Sequence, residues 1–78
     1  MSQRVALVSG AASGIGRAIA AELNDRGWAV LGVDLGPAPE CALSVEVDVT
    51  DTAGVARAVR QAEQQLGPVE AAVSAAGH

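Results

Sequence analysis

A short stretch directly after the first apolar run of the chain contains three glycines, Gly10, Gly14 and Gly16. The run before them, Val5–Ser9, is almost continuously apolar, which is typical of a buried parallel strand. From Gly14 onward the apolar residues recur with helical spacing, so the glycines lie between a strand and a helix. This order places the N-terminus of the helix, with its free N–H groups, at the carboxyl edge of the sheet, where it favours an anion.

Each glycine has a predicted role in such a turn. Gly10 takes the tight turn, Gly14 lets the backbone approach a pyrophosphate, and Gly16 lets the helix pack closely on the sheet. Ser13 is the predicted N-cap of the helix, because its hydroxyl can accept from a free N–H group. On the glycines alone, a tight strand-to-helix turn that binds nothing stays open as an alternative.

The rest of the chain alternates between strand and helix patterns. Further strands are predicted over 28–34, 43–49 and 69–77, and helices over 14–26 and 51–66. Gly27 is the predicted C-terminal end of the first helix, on which Glu22 and Arg26 can pair. Thr50 or Asp51 is the predicted N-cap of the second helix. The alternation indicates an α/β fold with a four-stranded parallel sheet in the order 3-2-1-4 and two main helices. Strands two and three are joined by only about eight residues, so we expect a shortened crossover without its helix.

An acidic residue, Asp34, ends the second strand about eighteen residues after Gly16. In a dinucleotide-binding fold, an acid at this point accepts hydrogen bonds from the hydroxyls of the adenine ribose. The same carboxylate repels a 2′-phosphate, no Arg or Lys lies next to it, and Ser13 before Gly14 is neutral. The sequence therefore favours NAD over NADP, with a solvated strand-end carboxylate as the alternative for Asp34.

Two further strand ends carry candidate residues. Asp48 follows the third strand, where its side chain can reach an adenine amino group with help from the backbone of Val49. Capping of the loop before the next helix is an equally good interpretation of Asp48 on its own. Gly77 ends the fourth strand and leaves room for a cofactor ribose, unless it serves a simple turn.

Taken together, these residues resemble the short-chain dehydrogenases/reductases. The similarity rests on Gly10-x-x-x-Gly14-x-Gly16, then Asp34, then DVT at 48–50 and AAG at 75–77, in order over essentially the whole chain. It implies a partial Rossmann fold in an oxidoreductase that transfers a hydride between nicotinamide and a secondary alcohol or ketone. The cofactor contacts implied are Gly10, Ser13, Gly14, Ile15, Gly16, Asp34, Leu35, Asp48, Val49, Ala76 and Gly77.

The chain also departs from the family pattern. The family's catalytic Ser, Tyr-x-x-x-Lys and Asn lie mostly in the later half of longer members, and this chain contains no Tyr and no Lys. We therefore predict that residues 1–78 are the N-terminal dinucleotide-binding part of such a domain, without catalytic residues or metal ligands and inactive alone. Ser9 replaces the usual Thr, and Ser74 and Ala75 replace the two amides of Asn-Asn-Ala-Gly.

The composition and charge of the chain limit the classes of partner that it can bind. A net charge of −4 and five scattered arginines argue against nucleic acid. No apolar stretch approaches the roughly 20 residues that span a membrane, and no signal peptide is recognisable, so a cytoplasmic location is expected. The single Cys41 excludes an internal disulfide. Because the fourth strand would be an exposed edge, the expected partner besides NAD is the missing C-terminal half or a second copy. A stand-alone adenine-nucleotide-binding module and a non-catalytic structural fragment remain the alternatives.

Overall fold

A computed structural model describes residues 4–11, 14–36, 38, 41–48 and 50–74 of the chain. Its elements are β1 (Val5–Ser9), α1 (Gly14–Asp25), β2 (Ala29–Asp34), β3 (Leu43–Glu46), α2 (Thr52–Gln65) and β4 (Val69–Ser74). The four strands form one parallel sheet in the order β3-β2-β1-β4. The predicted fold class and strand order are therefore confirmed.

The third strand is shorter than the sequence pattern predicts. It was expected to reach Val49, but it ends at Glu46 because the chain then enters a turn closed by Asp48 and Thr50. One ladder bond continues beyond the strand, since the N–H of Val47 donates to the carbonyl oxygen of Asp34 at 2.9 Å. In the same way β2 begins at Ala29 rather than at residue 28. The end expected for β4, at residue 77, lies outside the described residues.

A local signal in the sequence accounts for the C-terminal end of α1. After α1, Gly27 adopts a φ of +90°, and the N–H of Trp28 donates to the carbonyl oxygen of Leu23 at 3.0 Å. This is the glycine-terminated helix end that the sequence predicts. The predicted pair on α1 also forms, with 2.7 Å between Arg26 Nε and Glu22 Oε2, although its exposure makes it worth little.

Each face of the sheet packs against one helix. The first core cluster lies under α1, and its buried members are Val8, Ala11, Ala20, Val30 and Ala38. The second lies under α2 and contains Leu31, Val33, Ala58 and Ala62. The apolar residues of this second cluster come mainly from β1, β2, β3 and α2 and none from β4, on which Ala72 and Ser74 are exposed.

The connection between β2 and β3 covers the sheet without a helix among its described residues. Ala38 is buried in it, and its N–H donates to Ser44 Oγ at 3.0 Å. A Cβ added to Gly32 would lie 2.5 Å from Cys41 Sγ, so only glycine lets the connection pack this closely on β2. The shortened crossover that the sequence predicts therefore takes over part of the cover that a helix would provide.

Candidate functional site

Most of the predicted site residues lie at the carboxyl edge of the sheet. The glycine turn follows β1. Asp34 is the last residue of β2 and Leu35 comes directly after it, and Asp48 comes shortly after β3. Because β1, β2 and β3 are parallel neighbours, their carboxyl ends meet at one edge. The predicted contacts at Ser13, Val49, Ala76 and Gly77 lie outside the described residues.

The turn after β1 depends on two of its glycines. Gly10 has a φ of +73°, which favours glycine, and its N–H donates to the carbonyl oxygen of Val33 at 2.8 Å. A Cβ added to Gly16 would lie 2.0 Å from the carbonyl oxygen of Gly10 and 3.1 Å from Ala11 Cα. The sequence predicted that Gly16 lets the helix approach the sheet; the tightest approach is to the backbone of the turn itself.

Gly14 differs from the other two because the chain's own packing does not require it. It begins α1 with an ordinary helical backbone, and a Cβ added there would meet no described atom within 4 Å beyond its own helix and neighbours. Two large apolar side chains are also exposed at this edge, Ile15 with 72% and Leu35 with 71% of their surface accessible. The start of α1 thus offers open space beside Gly14 and no acidic side chain in its first turn, where N–H groups have no acceptors within the helix.

The turn after β2 folds around the carboxylate of Asp34. Its Oδ1 accepts from the N–H of Leu35 at 2.6 Å and from the N–H of Gly36 at 3.3 Å. These bonds fix the half-buried carboxylate at the strand end and order the turn that carries Leu35. Asp34 therefore presents an oriented negative charge at the carboxyl edge.

Asp48 is held by Thr50, which the sequence offers as a possible cap of α2 and as the last residue of the DVT motif, but not as a partner of Asp48. Its Oδ1 accepts from Thr50 Oγ1 at 2.7 Å and from the N–H of Thr50 at 2.9 Å. The Thr50 hydroxyl, and then the Thr50 N–H, hold the pKa of the exposed Asp48 carboxyl below its usual value. The Asp-x-Thr spacing is a known local turn pattern and is the signal from which Thr50 could have been predicted.

The cap of α2 is Asp51, one of the two residues that the sequence offered. Its side chain accepts from the N–H of Gly54, with Oδ1 at 3.1 Å. The loop-capping interpretation of Asp48 is also realised, since its Oδ1 serves Thr50. Among the described residues, none donates to its Oδ2, so the carboxylate retains capacity for a further hydrogen bond.

Thr50→Val is expected to raise the pKa of Asp48 toward its ordinary value, because the larger cause of the lowering is the hydroxyl. The folded-state pKa lies below the unfolded one, so these bonds add stability above the ordinary pKa, and the stability is lost as pH falls through the folded value. A carbon-detected NMR titration of the Asp48 carboxyl measures the shift. Thr52→Val, at another exposed threonine, is the control and should leave Asp48 unchanged; equal titration curves in both variants would contradict the assignment.

The face of the sheet that carries α2 also has a cleft of about 350 Å³. It is lined by Leu7, Ser9, Val33, Val55, Ala72, Val73 and Ser74. None of these is a predicted cofactor contact, and the cleft lies between Val55 of α2 and the exposed Ala72 and Ser74 of β4. Neither helix in the described part is long and apolar enough to cross a bilayer.

Comparison with known sequences gives a consistent result. The family model for short chain dehydrogenase matches residues 4–78. The 3-oxoacyl-(acyl-carrier-protein) reductase MabA of Mycobacterium tuberculosis is 45% identical over 75 residues, covering 95% of this chain and 30% of the relative. Cis-4-hydroxycyclohexanecarboxylate dehydrogenase of Sinomonas cyclohexanicum is 41% identical, covering 97% of this chain and 35% of the relative. The chain thus spans about a third of the length of these relatives.

Solved structures of other proteins also superpose closely on this chain. The aldohexose dehydrogenase of Thermoplasma acidophilum superposes with a TM-score of 0.82 at 30% identity, covering 94% of this chain and 29% of that protein. The 3-ketoacyl-(acyl-carrier-protein) reductase of Brucella melitensis, solved with NADH, gives a TM-score of 0.80 at 30% identity, covering 91% and 33%.

Proposed function

The chain belongs to the short-chain dehydrogenase/reductase family, and we propose that it binds NAD(H), in preference to NADP, for an oxidoreductase acting on a secondary alcohol or ketone. The observation that carries the proposal is Gly14. Glycine at the start of α1 sacrifices helix propensity, and neither backbone conformation nor packing within the described chain demands it. Close approach of a ligand to the backbone explains this choice of residue.

The pyrophosphate of the cofactor fits at the start of α1. The N–H groups of the first helical turn have no intrahelical acceptors, and the helix dipole adds partial positive charge there. The first turn of α1 contains no acidic side chain that would compete for this position. A diphosphate above Gly14 would therefore meet donors and open space, with the apolar Ile15 beside it.

The adenosine end of the cofactor fits along the next two strands. Asp34, oriented by Leu35 and Gly36, is suited to accept from the ribose hydroxyls, and its charge opposes a 2′-phosphate. Leu35 offers an exposed apolar surface to the adenine ring. The pKa of Asp48 is lowered, so its carboxyl is ionised, and its Oδ2 can accept a hydrogen bond from the adenine amino group. The NADH bound by the Brucella relative supports the cofactor class.

When bound, the nicotinamide ring supplies the hydride donor or acceptor. The residues described here bind and orient the cofactor, but they contain no Tyr or Lys that could move the substrate proton in the way the family does. We therefore place the catalytic Ser, Tyr and Lys outside residues 1–78, in a part of the domain that these residues would contact. The activity belongs to that whole domain.

Gly14→Ala tests the proposal. A methyl group at this position should weaken NAD binding at least tenfold in calorimetric titrations, because it occupies the space assigned to the pyrophosphate. Stability should stay equal or rise by up to about 1 kcal/mol, since alanine is the better helix former.

The matched control is Asn24→Ala, at an exposed position near the other end of α1. It should give a similar gain in helix stability and leave NAD affinity unchanged. Unaltered NAD binding by Gly14→Ala would contradict the pyrophosphate position. A folded parent chain that binds neither NAD nor AMP would contradict the proposed function as a whole.

A further inference from the structure

The connection from β3 to α2 is closed by a contact that leaves no room for a side chain at Gly54. A Cβ added there would lie 2.5 Å from Val47 Cγ2 and 2.7 Å from Asp51 Oδ2. Gly54 is buried in the first turn of α2 and has an ordinary helical backbone, so conformational freedom does not explain the glycine. What requires it is the close approach of α2 to Val47.

Hydrogen bonds tie this contact to the candidate nucleotide site. Asp51 Oδ1 accepts from the N–H of Gly54 at 3.1 Å, and the N–H of Asp51 donates to the carbonyl oxygen of Asp48 at 2.9 Å. At the other end, the N–H of Val47 donates to the carbonyl oxygen of Asp34 at 2.9 Å. The first turn of α2 is thus linked, through Asp51 on one side and Val47 on the other, to the backbone of both acidic residues of the site.

We infer that Gly54 is a positioning residue for the adenine end of the nucleotide site, because the approach of α2 to Val47 sets where Asp48 stands. The expected effect of Gly54 on nucleotide affinity rests on the proposed function. A side chain at Gly54 cannot be accommodated cheaply. Val47 is β-branched and has little rotamer freedom, and Asp51 would have to give up its cap. The helix start would move instead and draw Asp51 with it.

Displacement of Asp51 has a predictable effect on Asp48. Thr50 lies directly before Asp51, and its hydroxyl and N–H both bind Asp48 Oδ1. A shift of Asp51 therefore pulls Thr50 away from Asp48 and misplaces the carboxylate. Two observables follow, a rise in the pKa of Asp48 and a weaker affinity for the adenosine part of the cofactor.

The test compares Gly54→Ala, Val47→Ala and the double variant. We expect Gly54→Ala to bind AMP about tenfold more weakly and to raise the pKa of Asp48 in an NMR titration. Val47→Ala removes the nearer of the two atoms that an added methyl group would strike, whereas the contact with Asp51 Oδ2 at 2.7 Å remains. The double variant should therefore recover part of both values. Val47→Ala alone gives the effect of the lost side chain by itself, and the double variant is compared with it.

Each outcome decides the inference. Parent-like AMP affinity and Asp48 pKa in a folded Gly54→Ala variant would overturn it. If both variants fold, a double variant with no recovery over Gly54→Ala would overturn the steric explanation. If Gly54→Ala does not fold, recovery of folding in the double variant supports the inference, and failure of the double variant to fold overturns it. If the folded parent chain binds neither NAD nor AMP, the proposed function fails, whereas the Asp48 titration still tests the positioning role.

Discussion

Replacement of Gly16 with alanine is expected to destabilise the chain by about 3 kcal/mol, the upper end of the usual cost of an overpacked site. The new Cβ would lie 2.0 Å from the carbonyl oxygen of Gly10, which belongs to the main chain and cannot be moved aside by a change of rotamer. Gly10 cannot retreat easily, because its N–H is bonded to Val33 and its φ is fixed in the left-handed region. Movement of α1 would instead pull Ala20 out of the core.

Urea unfolding followed by circular dichroism measures this loss, with Gly14→Ala as the matched control. The chemical change is the same and only two residues away, but Gly14 faces open space. We expect the unfolding midpoint to fall sharply for Gly16→Ala and to hold or rise for Gly14→Ala. If the parent chain lies at the low end of the roughly 5–15 kcal/mol typical of domains, about 2 kcal/mol remains in Gly16→Ala and a few per cent of the chains are unfolded. A midpoint equal to that of the parent chain would show that the turn tolerates a side chain.

The fold could be predicted because its signals are local. Apolar periodicity distinguishes strands from helices, and the positive φ values at Gly10 and Gly27 fall where the sequence places a turn and a helix end. The parallel order 3-2-1-4 then follows from the alternation of elements and from the family resemblance. Asp34 and Asp48 could be placed at one sheet edge because the carboxyl ends of parallel strands meet there.

What the sequence did not reveal depends on which residues meet across the fold. Glycine at position 32 is explained by Cys41, and glycine at position 54 by Val47, and neither pair is identified by spacing along the chain. Thr50 is different, since its contact with Asp48 is local and its spacing was readable.

Asp34→Asn is expected to lower NAD affinity roughly tenfold and to raise NADP affinity, so that the preference between the two cofactors is largely lost. A hydrogen bond to a charged acceptor contributes about 1.5–3 kcal/mol against about 1 kcal/mol for a neutral one, and a tenfold change corresponds to about 1.4 kcal/mol. Removal of the carboxylate charge also removes its repulsion of a 2′-phosphate. Parallel calorimetric titrations with NAD and NADP measure both changes.

Asparagine is the informative substitution because it keeps an oxygen where Asp34 Oδ1 accepts from Leu35 and Gly36. The turn after β2 should therefore persist, and the loss of discrimination would report charge alone. Asp25→Asn makes the same change in net charge at an exposed position in α1 and should leave the ratio of the two affinities unchanged. If Asp34→Asn keeps the parent ratio, Asp34 does not contact the ribose and serves only to order its own turn. If Asp34→Ala weakens NAD binding beyond Asp34→Asn, the difference measures what the ordered turn, with Leu35 on it, contributes to holding adenine.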